Sequence, residues 1–258
     1  MLSSIERLKE HKFLFSELIK RDFKKKYKNT YLGMVWSILS PLLTLTIMSL
    51  VFTNFFGRSQ PHYIIYLFSG NIVYSFFNES TSNGMGSLLA NAGIFTKINV
   101  PKYLFLFSKN ISSLINFSIT LAVFFVFCII DGITFSCCFF MLIIPIICLI
   151  VFNVGIGLIL SALFVFFRDM QYLWGVFTML LMYLSAIFYT VDSFSPVVQK
   201  LFLVNPVFLY IKYFRLIVIY NTVPSIQFNL LAVGYALVAF AIGALIYKKF
   251  NHKFLYYV

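Results

Sequence analysis

The stretch RDFKKKYKNTYLGMVWSILSP, residues 21–41, places one arginine and four lysines directly before a long apolar run. The basic residues end at Lys28, and no charged residue follows until Arg58. Such a basic segment is typical of a nucleic-acid surface, of a targeting signal, or of the cytoplasmic flank of a membrane span. The rest of the sequence separates these three interpretations.

The composition predicts an all-α membrane protein. Of the 258 residues, 61% are hydrophobic and only 11% are charged, whereas a soluble domain carries about 25% charged residues. Several apolar runs follow the first one, which excludes a cleaved signal peptide. Six segments approach the roughly 20 apolar residues that a bilayer crossing needs. They are residues 34–56, 63–81, 103–130, 135–167, 172–191 and 228–247.

The distribution of basic residues predicts the orientation. With a cytoplasmic N-terminus, sixteen of the twenty lysines and arginines fall on the cytoplasmic side. The other four are Arg58, Lys200, Lys212 and Arg215. Cytoplasmic loops are enriched in these residues, so both termini are expected in the cytoplasm. This bias also explains the net charge of +12 without a nucleic-acid partner.

The chain is expected to form one domain, residues 1–258, in three parts. Residues 1–33 predict an amphipathic helix in the cytoplasmic interface, with Phe15, Leu18 and Phe23 on one face and Lys20 and Lys25 on the other. A plain orientation signal is the alternative. Residues 34–247 form the six-span membrane part, and residues 248–258 form a cytoplasmic tail.

Two connecting segments are longer than a turn. Residues 83–102 form a cytoplasmic loop whose short apolar stretch suits either a helix that docks into another protein or a simple surface loop. Residues 192–227, between spans five and six, hold two apolar stretches punctuated by Pro196, Pro206 and Pro224. They predict two short re-entrant helices on the outer side, with amphipathic surface helices as the alternative.

No catalytic or metal site is predicted. The sequence has no P-loop, the three histidines are far apart, and the four cysteines lie in or beside apolar runs without zinc spacing. Of the eight acids only Glu79 falls within a span, near its cytoplasmic end, so ion coupling is not expected. The energy for any active process must then come from a partner. Aromatic side chains along a path would offer flat faces to sugar rings; the candidates are Tyr31, Trp36, Tyr74, Phe76 and Phe77.

Taken in order, these features resemble the permease subunits of type-2 ABC exporters for surface polysaccharides. LIKRDFKKKYKNTYLGMVWSILSPLL, residues 18–43, is similar to the family's interfacial helix and first span, including Gly33 and Pro41. ANAGIFTKINVPK, residues 90–102, is similar to its coupling loop. The pair Arg168 and Asp169 and the Asn205–Pro206 dipeptide, with Arg215 after it, match the end of span four and the outer region.

The resemblance implies a permease that is not itself an enzyme and binds no cofactor. It implies a homodimer with two copies of a separate nucleotide-binding subunit, which would bind ATP and Mg²⁺. The implied substrate is an undecaprenyl-type lipid-linked glycan, O-antigen first, with teichoic acid or capsule as alternatives. The implied location is the bacterial cytoplasmic (inner) membrane, in contact with lipid and not with nucleic acid.

The resemblance also implies roles for individual residues of this sequence. Phe23, Tyr27, Tyr31 and Trp36 would frame the gate, and Arg21, Lys24 and Lys25 would face phosphate groups of lipid or of substrate. The coupling residues would be Ala90, Asn91, Phe95, Thr96, Lys97 and Pro101. Two further hypotheses remain: a type-2 ABC permease for drugs or small lipids, and a membrane assembly factor that transports nothing and has no ATPase partner.

Overall fold

A computed structural model describes residues 11–28, 30–56 and 62–257. Residues 1–10 and Arg58, on which parts of the sequence predictions rest, lie outside these ranges. Within them all regular structure is helical. The α-helices are α1 (Lys12–Tyr27), α2 (Trp36–Phe56), α3 (Tyr63–Met85), α4 (Ser87–Ala90), α5 (Ala92–Phe95), α6 (Tyr103–Ile130), α7 (Ile143–Phe166), α8 (Met170–Leu184), α9 (Pro196–Phe202), α10 (Pro206–Val218), α11 (Ile226–Phe250) and α12 (Phe254–Tyr257). Short 3-10 helices, Gly33–Val35 and Cys137–Leu142, precede α2 and α7.

Four helical segments in the described residues are long and apolar enough to cross a bilayer. They are Gly33–Thr53, Tyr103–Ile130, Cys137–Phe166 and Ile226–Phe250. The α9–α10 pair, bent by 105°, adds a fifth crossing if it is one broken span. An all-helical protein with several apolar spans is therefore confirmed, while the number six stays a prediction.

The helix α3 lies at the centre of the bundle. Seventeen of its 23 residues are buried, and it packs against α6, α7 and α10. It runs antiparallel to α6, because His62 pairs with Asp131 at 2.5 Å near one end and Asn116 donates to Glu79 at 2.7 Å near the other. A helix surrounded by other helices does not need a uniformly apolar surface. This explains how α3 is as long as a span yet more polar than the four apolar segments.

The closest helix contact joins α7 and α11. A Cβ built on Gly155 would lie 2.5 Å from the backbone of Ala239 and Phe240. On the other side of α7, a Cβ on Gly84 of α3 would lie 3.3 Å from the Cα of Gly157. Small residues allow helix backbones to approach in lipid, and Gly155 and Gly157 supply two of them on α7.

One apolar cluster brings together the two ends of the described chain. It includes Leu18, Phe95, Phe105, Tyr247 and Phe254, from α1, α5, α6, α11 and α12. We call this side of the bundle the basal end, and the opposite side, where His62 meets Asp131, the distal end. Two chain ends on one side are what an even number of crossings produces.

The predicted fifth span, residues 172–191, differs from the structure. The helix α8 ends at Leu184 after 15 residues, and Ala186 then takes a φ of +48°, a conformation that cannot continue a right-handed helix. Two short helices follow where two were expected. Asn205 caps the second by accepting from the Val207 amide at 3.0 Å, and Pro206 holds the first helical position. Their re-entry into the membrane stays a prediction.

Replacing Gly155 by alanine should destabilise the bundle, because the added methyl group would overlap the backbone of α11. Overpacking of a tight contact costs about 1–3 kcal/mol, so the thermal unfolding midpoint in detergent should fall. Gly175→Ala is the matched control, since a Cβ there meets nothing within 4 Å and alanine favours a helix over glycine by about 1 kcal/mol. Equal midpoints for the two variants would contradict the described packing.

Candidate functional site

A polar cleft of about 450 Å³ lies between α2, α3 and α6. Ten of its fifteen lining side chains carry a hydroxyl, amide or carboxylate group: Thr30, Ser37, Ser40, Thr44, Asn71, Ser75, Glu79, Ser113, Asn116 and Thr120. The other five are Trp36, Pro41, Ile72, Phe76 and Phe117. A bilayer offers polar groups no hydrogen-bond partners. Ten polar side chains around one cleft therefore identify this cleft as the candidate functional site.

Several polar groups of the cleft are not used by the helix that carries them. On α2, Thr46 donates to the Leu42 carbonyl at 2.9 Å, as hydroxyls in apolar helices commonly do. The side-chain hydroxyls of Ser40 and Thr44, which line the cleft, form no hydrogen bond with any described residue. Pro41 has no amide hydrogen and breaks the local ladder of helix hydrogen bonds. This side of α2 therefore presents donors and acceptors to whatever occupies the cleft.

The opposite wall of the cleft is braced by hydrogen bonds between α3 and α6. Asn116 donates to Glu79 Oε1 at 2.7 Å, and Asn83 donates to Ser113 Oγ at 3.2 Å. These contacts fix the Glu79 carboxylate on α3. Trp36, 38% exposed, supplies an aromatic face from α2. The result is a rigid polar wall facing a flat apolar ring.

A second pocket, of about 400 Å³, adjoins the cleft at its basal side. Glu79 lines both spaces, and the pocket's other lining residues are Asp22, Lys25, Asn83, Lys109 and Ser112. We call this pocket the basal mouth. Lys25 is exposed there and forms no ion pair with any residue that the structure describes. Among the lining residues that the structure describes, the cleft is thus polar along its walls, and its charged side chains lie where it meets the basal end.

Asp22 organises the charges of the basal mouth. Its buried carboxylate contacts Arg21 Nη2 at 2.8 Å and Lys109 Nζ at 3.1 Å. The same Arg21 nitrogen donates to Asn91 Oδ1 at 2.7 Å. Arg21 therefore links α1 to the segment between α4 and α5, which no sequence pattern had indicated. The only sequence signal for this role was that Asp22 is the single acidic residue within the basic run.

The predicted gate residues, and the motif residues Gly33 and Pro41 beside them in sequence, occupy different places. Trp36 and Pro41 line the cleft, and Gly33 makes the turn before α2 with a φ of +50°. Phe23 is half-buried, whereas Lys24 and Tyr31 are exposed. The backbone of Tyr27 ends α1, but its side chain lies outside the described part of the structure. Their roles at a gate stay predictions.

The aromatic candidates divide into two groups. Phe76 lines the cleft together with Trp36 and stacks on Phe117 with ring centroids 4.5 Å apart. Tyr74 instead faces α8 and donates to the Thr178 carbonyl at 2.7 Å. Phe77 is fully buried between rings of α7 and α8. Two of the five candidates can therefore contact a ligand in the cleft.

The predicted coupling residues form a partly buried surface at the basal end. Asn91 and Phe95 are buried, whereas Ala90, Thr96 and Lys97 are exposed and Pro101 is half-buried. Lys102, next along the chain, donates to the Asn251 carbonyl at 2.6 Å and lies between the rings of Phe95 and Phe254. Burial lowers the pKa of Lys102. The coupling residues are thereby tied to the C-terminal segment.

The motif residues Arg168, Asp169 and Arg215 do not line the cleft. Arg168 and Asp169 lie exposed in the turn between α7 and α8. Arg215 is buried at the distal side, where it donates to the carbonyls of Ala186, Ile187 and Tyr66 at 2.9–3.1 Å. Its guanidinium carbon also lies 3.4 Å from the centroid of the Tyr66 ring. Arg215 thus fastens the irregular segment after α8 to α3.

The described residues contain no group of three or more histidines, cysteines or acids that could hold a metal ion.

Comparisons with known proteins add a family and relatives. The sequence model of the family described as ABC-2 type transporter matches residues 14–219. Two Klebsiella pneumoniae proteins named O-antigen export system permease protein RfbA are each 27% identical over 94% of this chain and 95% of their own length. The capsule polysaccharide export inner-membrane protein CtrC of Neisseria meningitidis serogroup A is 22% identical over 79% of this chain and 78% of its own.

Replacing Asp22 by asparagine should loosen α1, because Arg21 and Lys109 would lose their shared anion. Hydrogen bonds to charged groups contribute about 1.5–3 kcal/mol each, so α1 should be cleaved faster by protease in detergent. Glu17→Gln is the control, since its exposed pair with Lys20 contributes less than about 1 kcal/mol. Cleavage of α1 at equal rates in both variants would show that Asp22 does not hold this helix.

Proposed function

We propose, because this chain belongs to the ABC-2 type transporter family, that it is the permease subunit of an exporter for surface polysaccharide. The observation that carries the proposal is the polar cleft in a helical bundle whose near full-length relatives are named O-antigen export permeases. Hydroxyl and amide groups exchange hydrogen bonds with sugar hydroxyls, and an exposed aromatic ring packs on a sugar's apolar face. The cleft offers both kinds of contact.

The substrate in this proposal is a lipid-linked polysaccharide, O-antigen first, with capsule or teichoic acid as alternatives. A lipid-linked glycan has a hydrocarbon end that remains in the bilayer and a phosphate group next to the first sugar. Lys25 at the basal mouth supplies an ammonium group for that phosphate. Arg21 takes a different role, because Asp22 and Asn91 already hold its guanidinium group.

The energy in this proposal comes from ATP hydrolysis, with Mg²⁺, in a separate nucleotide-binding subunit present in two copies. The exposed residues Ala90, Thr96, Lys97 and Ile98 form its docking surface at the basal end. A force on this surface reaches α1 through the bond between Arg21 and Asn91 and through the apolar cluster that holds Leu18 and Phe95. The α1 helix would thus move with the ATPase.

Two copies of the chain form the permease in this proposal. The helices α2 and α8 expose broad apolar surfaces, including Ile47 and Leu50 on α2 and Val176 and Leu180 on α8. These surfaces suit either lipid or a second copy, and we assign part of them to the homodimer. The basal end then faces the cytoplasm of a bacterial cell, and the protein resides in the inner membrane.

A second candidate function is the export of small lipids or drugs. A groove of about 420 Å³ favours it, because nine of its ten lining residues, including Phe15, Ile111 and Phe240, are apolar and only Asn110 is polar. Reconstitution with the nucleotide-binding subunit separates the two functions. ATPase activity stimulated by a lipid-linked glycan supports the first, and stimulation only by small lipids supports the second. A chain that pairs with no ATPase would instead be a membrane assembly factor.

Introducing a charge on the docking surface should release the partner. Ile98 is 55% exposed, and Ile98→Asp should abolish co-purification of the nucleotide-binding subunit, since an aspartate would be desolvated at the interface. Val223→Asp, at a similarly exposed valine on the distal side, is the matched control and should keep the partner. Retention of the ATPase by both variants would exclude Ile98 from the docking surface.

Removing the charge of Lys25 should weaken the response to substrate. For Lys25→Gln we expect the half-saturating concentration of glycan lipid in the ATPase assay to rise about tenfold, because a charge-assisted hydrogen bond is lost. Basal ATPase activity should not change. Lys24→Gln, at the neighbouring exposed lysine that does not line the mouth, should leave both values unchanged. Identical effects of the two substitutions would assign the basic run to membrane lipid.

A further inference from the structure

Three sites of different chemistry adjoin one another in the basal half of the bundle. The basal mouth carries charged side chains, and the cleft carries mainly hydroxyl and amide groups. The third site is the groove of about 420 Å³, which we call the apolar groove. Glu79 lines both the basal mouth and the cleft, and Phe76 lines both the cleft and the apolar groove. The cleft therefore has a charged neighbour and an apolar neighbour.

The apolar groove lies between α6, α7 and α11, and Phe15 of α1 lines it from the basal end. The helix α6 contributes Phe107, Ile111 and Leu114, whose spacing of four and three residues forms one stripe along a helix. This stripe is about 10 Å long at a rise of 1.5 Å per residue. The helix α7 contributes three aliphatic side chains from residues 150–154, and α11 contributes one aromatic ring.

The apolar groove suits a hydrocarbon ligand. Among the described residues that line it, Asn110 alone has a polar side chain. The Asn110 side-chain oxygen accepts from the Ser80 hydroxyl, and its nitrogen donates to the Leu106 carbonyl at 3.1 Å. Both polar atoms of this side chain thus have partners inside the bundle. A polar ligand would lose its hydrogen bonds in the groove and gain none, whereas a hydrocarbon chain has none to lose.

The side chains around the apolar groove leave surface for a ligand. Phe15, Phe107, Ile111 and Phe240 are each half-buried. A hydrocarbon chain gains little by leaving lipid, so its affinity for the groove must come from van der Waals packing. Aromatic rings and branched side chains from several helices provide a shaped surface for such packing.

The helix α1 connects the apolar groove to the basal mouth. Phe15 lines the groove, whereas Asp22 and Lys25 line the mouth. Phe15 and Lys25 are separated by about 15 Å along the helix axis. The ion pair between Asp22 and Lys109 and the burial of Leu18 hold α1 against the bundle. A lipid whose phosphate lies beside Lys25 can therefore extend along α1 into the groove.

Resting on the proposed function, we infer that the apolar groove binds the hydrocarbon chain of the lipid-linked glycan. The phosphate then lies at the basal mouth beside Lys25, and the first sugars lie in the cleft. The order of the three sites, from groove to mouth to cleft, matches the order of chain, phosphate and sugar in this one molecule. A membrane phospholipid, or the small lipid of the second candidate function, would fill the groove and leave the polar cleft unused.

Photocrosslinking tests where the chain lies. The experiment uses the full-length chain with its nucleotide-binding subunit in phosphatidylcholine nanodiscs. The probe is geranylgeranyl diphosphate with a benzophenone at the far end of its chain. After irradiation and proteolysis, mass spectrometry should locate adducts within residues 107–114 and 150–154, which line the groove.

Competition identifies the source of the chain. Undecaprenyl phosphate should suppress the adducts at a concentration at least about tenfold lower than dioleoyl phosphatidic acid does. The physical reason is that the groove takes one chain, and the second acyl chain of phosphatidic acid would lose the packing contacts, about ten of which amount to a factor of ten in affinity. Equal competition by the two lipids would assign the groove to membrane phospholipid and overturn the inference.

Filling the groove tests its part in substrate binding. For Ile111→Trp we expect the half-saturating concentration of glycan lipid in the ATPase assay to rise about tenfold, because the larger side chain occupies the space of the ligand. The adduct yield should fall by a similar factor. Ile115→Trp is the matched control, since Ile115 is a half-buried isoleucine of α6 that lines none of the three sites. Equal effects of the two substitutions would overturn the inference.

The outcomes separate this inference from the proposed function. If Ile111→Trp does not fold, the adduct map of the unaltered chain still decides, because adducts confined to surfaces outside the groove would overturn the inference. A complex whose ATPase responds to glycan lipid but whose groove acquires no adduct would retain the function alone. Groove adducts that undecaprenyl phosphate suppresses, in a complex whose ATPase no glycan lipid stimulates, would retain the groove as a polyprenyl site and overturn the function.

Discussion

Hydrogen bonds between α3 and α6 are the interaction on which the rest of the structure depends. A bilayer provides no partners for polar side chains, and α3 carries Glu79, Ser80 and Asn83 on its basal half. Asn116, Asn110 and Ser113 of α6 meet them one by one. With these groups satisfied, a polar helix can occupy the centre of the bundle. The same contacts form the wall of the cleft, so the packing that stabilises the fold also builds the candidate site.

At the basal end, three segments that are distant in sequence pack against one another. The α1 helix, the α4–α5 segment and the C-terminal α12 share an apolar cluster. Two polar links join them further: Arg21 to Asn91, and Lys102 to the Asn251 carbonyl. In the proposed exporter, a nucleotide-binding subunit that moved the α4–α5 segment would therefore also move α1. Because α1 carries Lys25 at the basal mouth, such a movement would reach the entrance of the cleft.

At the distal side, Arg215 shows how a cation can be buried without a carboxylate. Three backbone carbonyls and the face of the Tyr66 ring surround its guanidinium group. Two of the carbonyls, those of Ala186 and Ile187, belong to the turn that follows the end of α8, and the third belongs to Tyr66 of α3. Gly70 leaves room for the guanidinium, since a Cβ there would lie 2.8 Å from it. The arginine thus stabilises the interruption of α8 and the short helices that follow.

The sequence by itself determined the class of the protein, its apolar helices and its local signals. Hydropathy and the Asn205–Pro206 dipeptide depend on composition or on neighbouring residues, which a linear pattern records. Only the tertiary structure decided which polar residues meet. The cleft joins Trp36, Glu79 and Asn116 from three helices, and Lys109 reaches Asp22 across 87 positions. Each of these side chains looks unremarkable in its own helix, because its role arises from burial and from partners that only packing brings into contact.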